Sequence, residues 1–426
     1  MRDETRKRAG GAYRGHCAAG HRGSNQVLSP AGNGSDGVFP SGRSLQRPAV
    51  STRDRRVPSP ARQSCPSDWV SGFITTPSLN KLDSAMTDFA RALPEFRAFL
   101  RTWNEIGGFP FDKEPAEGAR PFLASFPAAP APEPSLATTG NVEIDSSSGK
   151  LRLVVVKPVN VSKPPVVVAI HGGGGVVGVP ECALPSNPPD AHMLILVVRM
   201  DFPLYTAFAQ AGFAVVSPDY RLAPEHRMPA ALDDVESAWI WATSQEAAAA
   251  GFDTSRVAVY GSSAGSNLAA GLAIRLKNQA KKAPALTLLD SVLADDRVDL
   301  YNSMQPDESI APYHIWKRSD AERVRHWLYG DRQDLSVEEA PLRSQDPVKD
   351  FGGLGPHYLS VCELDSLLSH GLSYARSLYT ANVPTSLHVW GGAPHAFATL
   401  CPGTELAMSV REEYVRALKG AFGEEL

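Results

Sequence analysis

No stretch of the chain reaches 18 consecutive apolar residues, so a membrane-spanning helix is not expected. The N-terminus lacks the apolar core that a secretory leader requires. Cysteine is scarce: Cys17, Cys65, Cys182, Cys362 and Cys401 are all there is. Their odd number argues against a disulfide framework and mildly favours a reducing compartment. No two of them share a metal-ligand spacing, and no His/Asp ligand pattern appears, so no metal is expected. A net charge of −4 gives no reason to expect a nucleic-acid or membrane-surface partner.

That mean conceals an asymmetry. Residues 1–65 carry 12 Lys and Arg against 4 Asp and Glu, a net of +8, which leaves −12 for the rest. Residues 1–68 are rich in Gly, Ser, Pro and Arg and show no apolar period. Such a segment cannot bury enough surface to offset its ordering entropy, which predicts a disordered basic tail. Its Arg and Ser content is that of a mitochondrial transit peptide, but Asp3, Glu4 and the many Gly and Pro spoil an amphipathic helix. The expected location is the cytoplasm, with import the lesser alternative. Residues 69–426 form the expected folded domain.

Within that domain Met86, Phe89, Ala90, Leu93, Phe96, Phe99 and Leu100 recur at three and four, predicting a helical face across Leu82–Trp103. A Pro/Ala linker follows from Phe122 to Pro134. Val142-Glu143-Ile144, a Ser/Gly turn and Leu151–Lys157 then read as an antiparallel hairpin. Beyond it the pattern becomes strand, loop, helix, repeated. Strands are expected at Val166–Ile170, Ala214–Ser217, Val257–Tyr260, Thr287–Val292, His357–Val361 and Ser386–Trp390. Helices are expected at Tyr205–Ala211, Leu232–Ser244, Ala264–Lys277, Ser366–Thr380 and Glu405–Phe422. Continuous apolar strands alternating with helices predict an α/β fold, a mostly parallel sheet covered on both faces.

Gly261-Ser262-Ser263-Ala264-Gly265 lies between an apolar strand and a helical run. The G-x-S-x-G pattern in that context is a nucleophile elbow, which lifts a serine hydroxyl to a helix N-terminus. Register selects Ser263, because centring on Ser262 or Ser266 puts non-glycine residues at the flanks. His171-Gly172-Gly173-Gly174-Gly175 follows another strand. Glycines let backbone N–H groups approach a substrate oxygen, so Gly172, Gly173 and Gly174, with the Ala264 N–H, are candidate oxyanion donors. A phosphate loop would need a G-K-[ST] that is absent.

A serine hydroxyl is a weak nucleophile at its own pKa and needs a base and an orienting acid. Hydrolase chain order places the acid and then the histidine after the serine. His388 falls in an expected strand and His370 in an expected helix, where solvent exposure or a satisfied contact accounts for it. His395 sits in a loop just past the last strand, where catalytic residues of such sheets concentrate. Asp365 and its neighbour Glu363 occupy another strand-end loop. Asp365 is preferred because it can reach the imidazole N–H and open the next helix as an N-cap. Asp219–His226, with Pro229–Asp234 behind it, reads as a buried cluster of charges and a phenol bracing the top of the sheet.

Together these segments resemble the hormone-sensitive-lipase family of α/β-hydrolases. The resemblance rests on His171–Gly174, Asp219–His226, Gly261–Gly265, Glu363–Asp365 and Pro394–Phe397 and spans roughly residues 82–422. It implies a serine hydrolase without cofactors, acting on esters of small or medium acyl groups. It also implies a cap over the site from about residues 82–125 and 297–345, with the 82–103 helix over the acyl pocket. The chain departs from the pattern at Ser262, at Ser266, and in a long stretch from Val179 to Phe202. Two other activities fit the same scaffold: an amidase or thioesterase with the same triad, or a small-molecule receptor that has lost its base. Expected partners are a small-molecule ester and no nucleic acid or membrane, with homodimerisation open.

Overall fold

The computed structural model describes residues 89–124, 135–178, 202–301, 303–304 and 308–424. The expected tail, most of the Pro/Ala linker and the stretch from Val179 to Asp201 lie outside them. Eight strands form one sheet: β1 (Ala137–Ser146), β2 (Gly149–Pro158), β3 (Pro165–Ile170), β4 (Ala214–Pro218), β5 (Asp253–Ser262), β6 (Thr287–Asp290), β7 (His357–Leu364) and β8 (Thr385–Pro394). Their spatial order is β1-β2-β4-β3-β5-β6-β7-β8. β1 and β2 form the expected hairpin, and β2 also pairs antiparallel with β4. All other pairings are parallel.

The sheet is apolar on both faces, as alternating residues of one strand show. Val166, Val168 and Ile170 of β3 enter one core, together with Val257 and Val259 of β5. Val167, Ala169, Ala258 and Tyr260 enter the other. The first core is closed by α4 (Ala230–Ala242), α6 (Ala264–Asn278) and α9 (Leu368–Thr380). The second is closed by α1 (Pro94–Glu105), α3 (Phe202–Gln210) and α11 (Glu405–Phe422). Burying each Val or Leu stabilises the fold by about 1.5–3 kcal/mol relative to exposure. The last helix has the ends its sequence dictates. The Thr404 hydroxyl caps it by accepting from the Ala407 N–H at 3.3 Å, and Gly423 ends it with φ +72°.

Several short helices escape periodicity because they are brief or strongly charged: α2 (Ala119–Ala124), α5 (Gln245–Ala249), α7 (Arg318–Tyr329), α8 (Pro347–Phe351) and α10 (Phe397–Leu400). Many expected boundaries shift by a few residues, two of them for a visible local reason. Of the expected helix over Leu82–Trp103, residues 82–88 lie outside the described residues, Phe89–Ala92 form a turn, and a helix runs from Pro94. Proline is favoured at the first helical position and pushes the preceding residue to extended geometry, and Leu93 has φ −55°, ψ 144°. β6 ends at Asp290 rather than Val292, because Ser291 takes φ +50°.

A third apolar cluster stands apart from the two faces. It joins Phe111 and Ala119 to Tyr301, Trp316, Ala321, Val324 and Trp327, with Val176 and Val177 after β3. The two segments expected to form a cap therefore pack on each other and on the glycine-rich loop. The chain runs from β3 to its neighbour β4 on one side and then crosses to β5 on the other. That reversal opens a crevice at the carboxyl ends of β3 and β5, where sheets of this kind hold ligands.

Candidate active site

β5 delivers Ser263 into the crevice. Ser263 has φ +53° and ψ −119°, a strained conformation for a side chain bearing a Cβ. The flanking glycines are steric necessities. A Cβ on Gly261 would press into the carbonyl of Gly265, and one on Gly265 would press into that of Ile170 and lie 2.6 Å from the His171 oxygen. Ser266, where the family pattern has glycine, braces the turn: its hydroxyl donates to the Ser263 carbonyl at 2.6 Å and accepts from the Leu293 N–H at 2.9 Å.

Asp365 follows β7 and His395 follows β8, so three strand ends converge. His395 Nε2 lies 3.0 Å from Ser263 Oγ, and His395 Nδ1 lies 2.7 Å from Asp365 Oδ2. An ionised carboxylate only accepts, so Nδ1 carries the proton and Nε2 is left to accept from the serine hydroxyl. All three residues are buried, Ser263 at 9%, His395 at 5% and Asp365 at 3% exposure, which strengthens their electrostatic coupling. Burial works against a charged His395, but Asp365 outweighs it and the imidazole pKa is raised above its ordinary value. The other Asp365 oxygen accepts from the Leu367 N–H at 3.0 Å. Asp365 is therefore not the N-cap it was expected to be. Leu367 holds that position, and the carboxylate lies two residues earlier.

Glu363, the rival acid, is committed elsewhere. It pairs with Arg91 at 2.8 Å and accepts from the Gly392 N–H at 2.7 Å. Burial raises its pKa, but these partners outweigh that and hold it below the ordinary value. His388 lies 3.3 Å from Glu413 and stacks between Tyr358 and Trp390. His370 is fully buried rather than exposed, edge-on to Tyr301, and burial lowers its pKa to about 4.

Opposite the serine, the loop after β3 closes the crevice. Gly172 sits so near that a Cβ there would be 3.3 Å from Ser263 Cβ, and Gly173 and Gly174 line the same cavity. Ala264 opens α6 directly after Ser263. Tyr220, from the segment read as structural, holds this loop. Its ring stacks on His171 at 4.2 Å and its hydroxyl donates to the His171 carbonyl at 3.0 Å. Burial lowers the His171 pKa to about 4, so that ring is neutral at pH 7. The rest of the segment forms ion pairs, Arg152–Asp219 at 2.7 Å and Arg221–Asp234 at 2.8 Å, but of these charges only Asp234 is buried, and Glu225 and His226 are exposed, so the cluster is less buried than expected. Arg120 of α2 adds a tie from the segment expected to form a cap. It donates to the Val176 and Ala223 carbonyls and pairs with Glu225 at 2.7 Å.

A cavity of about 70 Å³ lies over Ser263, walled by Phe109, Phe111, Val177, Ile315, Trp316 and Leu400 among others. These walls differ from the expected ones. Phe89, Phe96, Leu100 and Trp103 of the N-terminal segment are consumed in packing, Phe96 against Phe397 and Phe89 against Tyr313. The helix supports the cavity at second hand, through Trp103 against Phe109 at 4.9 Å. Trp316 stands directly on the glycine loop, and a Cβ on Gly174 would lie 2.8 Å from its ring.

A family model described as the alpha/beta hydrolase fold matches residues 167–399, more than half of the chain. The chain belongs to that family, in its hormone-sensitive-lipase-like branch. Among its relatives, the carboxylic ester hydrolase LipN of Mycobacterium tuberculosis is 27% identical over 335 residues, covering 77% of this chain and 83% of the relative. The ethyl acetate hydrolase of Pseudomonas putida is 30% identical over 251 residues, covering 56% and 71%. Among solved structures, a bacterial heroin esterase superposes with a TM-score of 0.63 at 26% identity, covering 79% of this chain and all but 1% of the other. Among the described residues no helix is long and apolar enough to cross a membrane.

Proposed function

We propose that this chain hydrolyses carboxylic esters of small or medium acyl groups through an acyl-enzyme. The 3.0 Å contact between Ser263 Oγ and His395 Nε2, backed by Asp365, carries this reading. Ser263 Oγ attacks the ester carbonyl carbon while His395 Nε2 takes its proton. The carbonyl oxygen becomes an oxyanion, for which the N–H groups of Gly172, Gly173, Gly174 and Ala264 are the proposed donors. Asp365 fixes the imidazole tautomer and stabilises the imidazolium. His395 then protonates the alcohol oxygen, the carbon–oxygen bond breaks, and the acyl group remains on Ser263. Water repeats the sequence: His395 takes its proton, the hydroxide adds to the acyl carbon, and the acid leaves as Ser263 regains its hydrogen.

The narrow aromatic cavity supports a short acyl group. Each added methylene gains about 0.8 kcal/mol only while it stays buried. A panel of p-nitrophenyl esters of rising acyl length, tested on the native protein and on Ser263→Ala, examines both parts. The expected result is highest kcat/KM at a short-to-medium chain and loss of several orders of magnitude in the variant. Undiminished turnover in Ser263→Ala would overturn the mechanism, and a steady rise through long chains would overturn the size limit.

A further inference from the structure

Ser291 lies outside the serine–histidine–aspartate set, yet it bonds to the backbone of β7 and of the turn after β8, while its neighbour Asp290 bonds to that of Ser263. It follows β6, which runs between β5, the strand of Ser263, and β7, the strand of Asp365. The Ser263 N–H donates to the Asp290 carbonyl at 2.9 Å, and the Ser291 N–H donates to the Ser360 carbonyl of β7 at 2.9 Å. The end of β6 thus ties the nucleophile turn to the acid strand through main chain alone.

The side chain supplies the third tie. Ser291 Oγ accepts the Ala396 N–H at 2.9 Å, and the residue is completely buried. Ala396 directly follows His395 and has φ +52°, ψ +30°, a left-handed conformation in a residue that is not glycine. Ser291 itself has φ +50°. Two adverse backbone conformations therefore face each other across one hydrogen bond, and the histidine is carried on the turn between that bond and β8. Strain of this sort persists only where surrounding contacts over-determine it.

The Ser291 hydroxyl is held in turn from below. It lies 3.4 Å from Asp290 Oδ1 and 3.7 Å from Cys362 Sγ. Asp290 also receives the Ser360 hydroxyl at 3.2 Å, and the Ser360 oxygen accepts from Tyr414 at 2.6 Å and from Trp390 at 2.9 Å. This buried network reaches from α11 and β8 to the underside of the histidine turn.

We infer that Ser291 is a positioning residue for the hydrolytic reaction, holding the His395–Ala396 turn so that the imidazole spans Ser263 and Asp365. The inference rests on the ester-hydrolase reading of the site. A shift of about 1 Å in a positioned catalytic group can cost on the order of 100-fold in rate. Removing the acceptor also leaves the buried Ala396 N–H unpaired, which favours relaxation of the turn.

Ser291→Ala and Ser291→Gly are compared with the native protein and Ser263→Ala, using a short-chain p-nitrophenyl ester. Labelling by a fluorophosphonate counts the folded, reactive sites, and kcat is expressed per labelled site. Both variants are expected to lose roughly 10- to 100-fold in kcat with KM nearly unchanged. Glycine removes the backbone strain as well as the hydroxyl, so equal losses assign the effect to the hydroxyl. The groups facing His395 are Asp365 just past β7, Asp290 on β6 and the buried His314. A loosened imidazole gains less from Asp365, so the acid limb of kcat/KM should move to lower pH in both variants. Retention of kcat within twofold, or a fall in melting temperature with kcat per site and pH profile unchanged, would overturn the inference while leaving the ester-hydrolase reading intact. Absence of turnover in the native protein would overturn both.

Discussion

Register separates adjacent residues with opposite fates. Ser262 ends β5, whereas Ser263 turns to positive φ and meets His395. Ser263→Ala should therefore abolish most ester turnover without unfolding the protein, while Ser262→Ala retains measurable activity. Equal loss in the two would contradict the elbow geometry. Asp365→Asn should likewise cripple turnover, because an amide can hold the imidazole in the wrong tautomer. Glu363→Gln should be mild, since Glu363 is spent on Arg91 and Gly392. The reverse pattern would reassign the acid. In the proposed mechanism His395 accepts a proton only when neutral, and Asp365 raises its pKa despite burial. Turnover should fall as pH drops, with the kcat/KM midpoint above the ordinary imidazole value of about 6.5. A midpoint well below that value would show the pair is not coupled as drawn.

The elements of the fold differ in how far sequence alone reveals them. The parallel strands and the long helices are legible because each carries its own period: Val166–Ile170 is continuously apolar, and the Glu405–Phe422 helix is recovered at both ends. Gly261, Gly265, Asp365 and His395 are legible because local sterics or a strand end constrains them. Residues defined only by long-range contact are not. Trp316 matters because it lies on Gly174, 142 positions earlier, and Ser291 because it holds Ala396. No period or spacing announces either. The apolar period of the N-terminal segment runs through Pro94, and among the described residues the proline, not the period, sets where the helix starts. At this scale the cap makes a specific prediction. Trp316→Leu should lengthen the preferred acyl chain, each newly buried methylene adding about fourfold to kcat/KM relative to the acetyl ester. An unchanged chain-length profile would place the acyl group away from this wall.

At the scale of the molecule, buried histidines couple stability to pH, His314 among them, its pKa lowered by burial. Burial lowers His171, His357 and His370 to about 4, so each stays neutral in the fold while its unfolded counterpart protonates near 6.5. Between those values the unfolded chain binds more protons, so stability is full above about 6.5 and declines as pH falls towards 4. His395, raised rather than lowered, runs the opposite way as a single group. Chemical denaturation from pH 7.5 to 5 should show a falling midpoint, whereas a flat or rising midpoint would contradict the burial of these rings as neutral groups. The central claim concerns the same molecule in action: one buried serine takes the acyl group from an ester. Its most direct test is an acid quench during turnover of p-nitrophenyl acetate, followed by mass spectrometry of the intact chain and of its peptides. One acetyl group should be found on the peptide containing Ser263, at that residue, and should disappear in Ser263→Ala. Rapid turnover with no acyl group trapped there, or with the group on Ser262, would contradict the account.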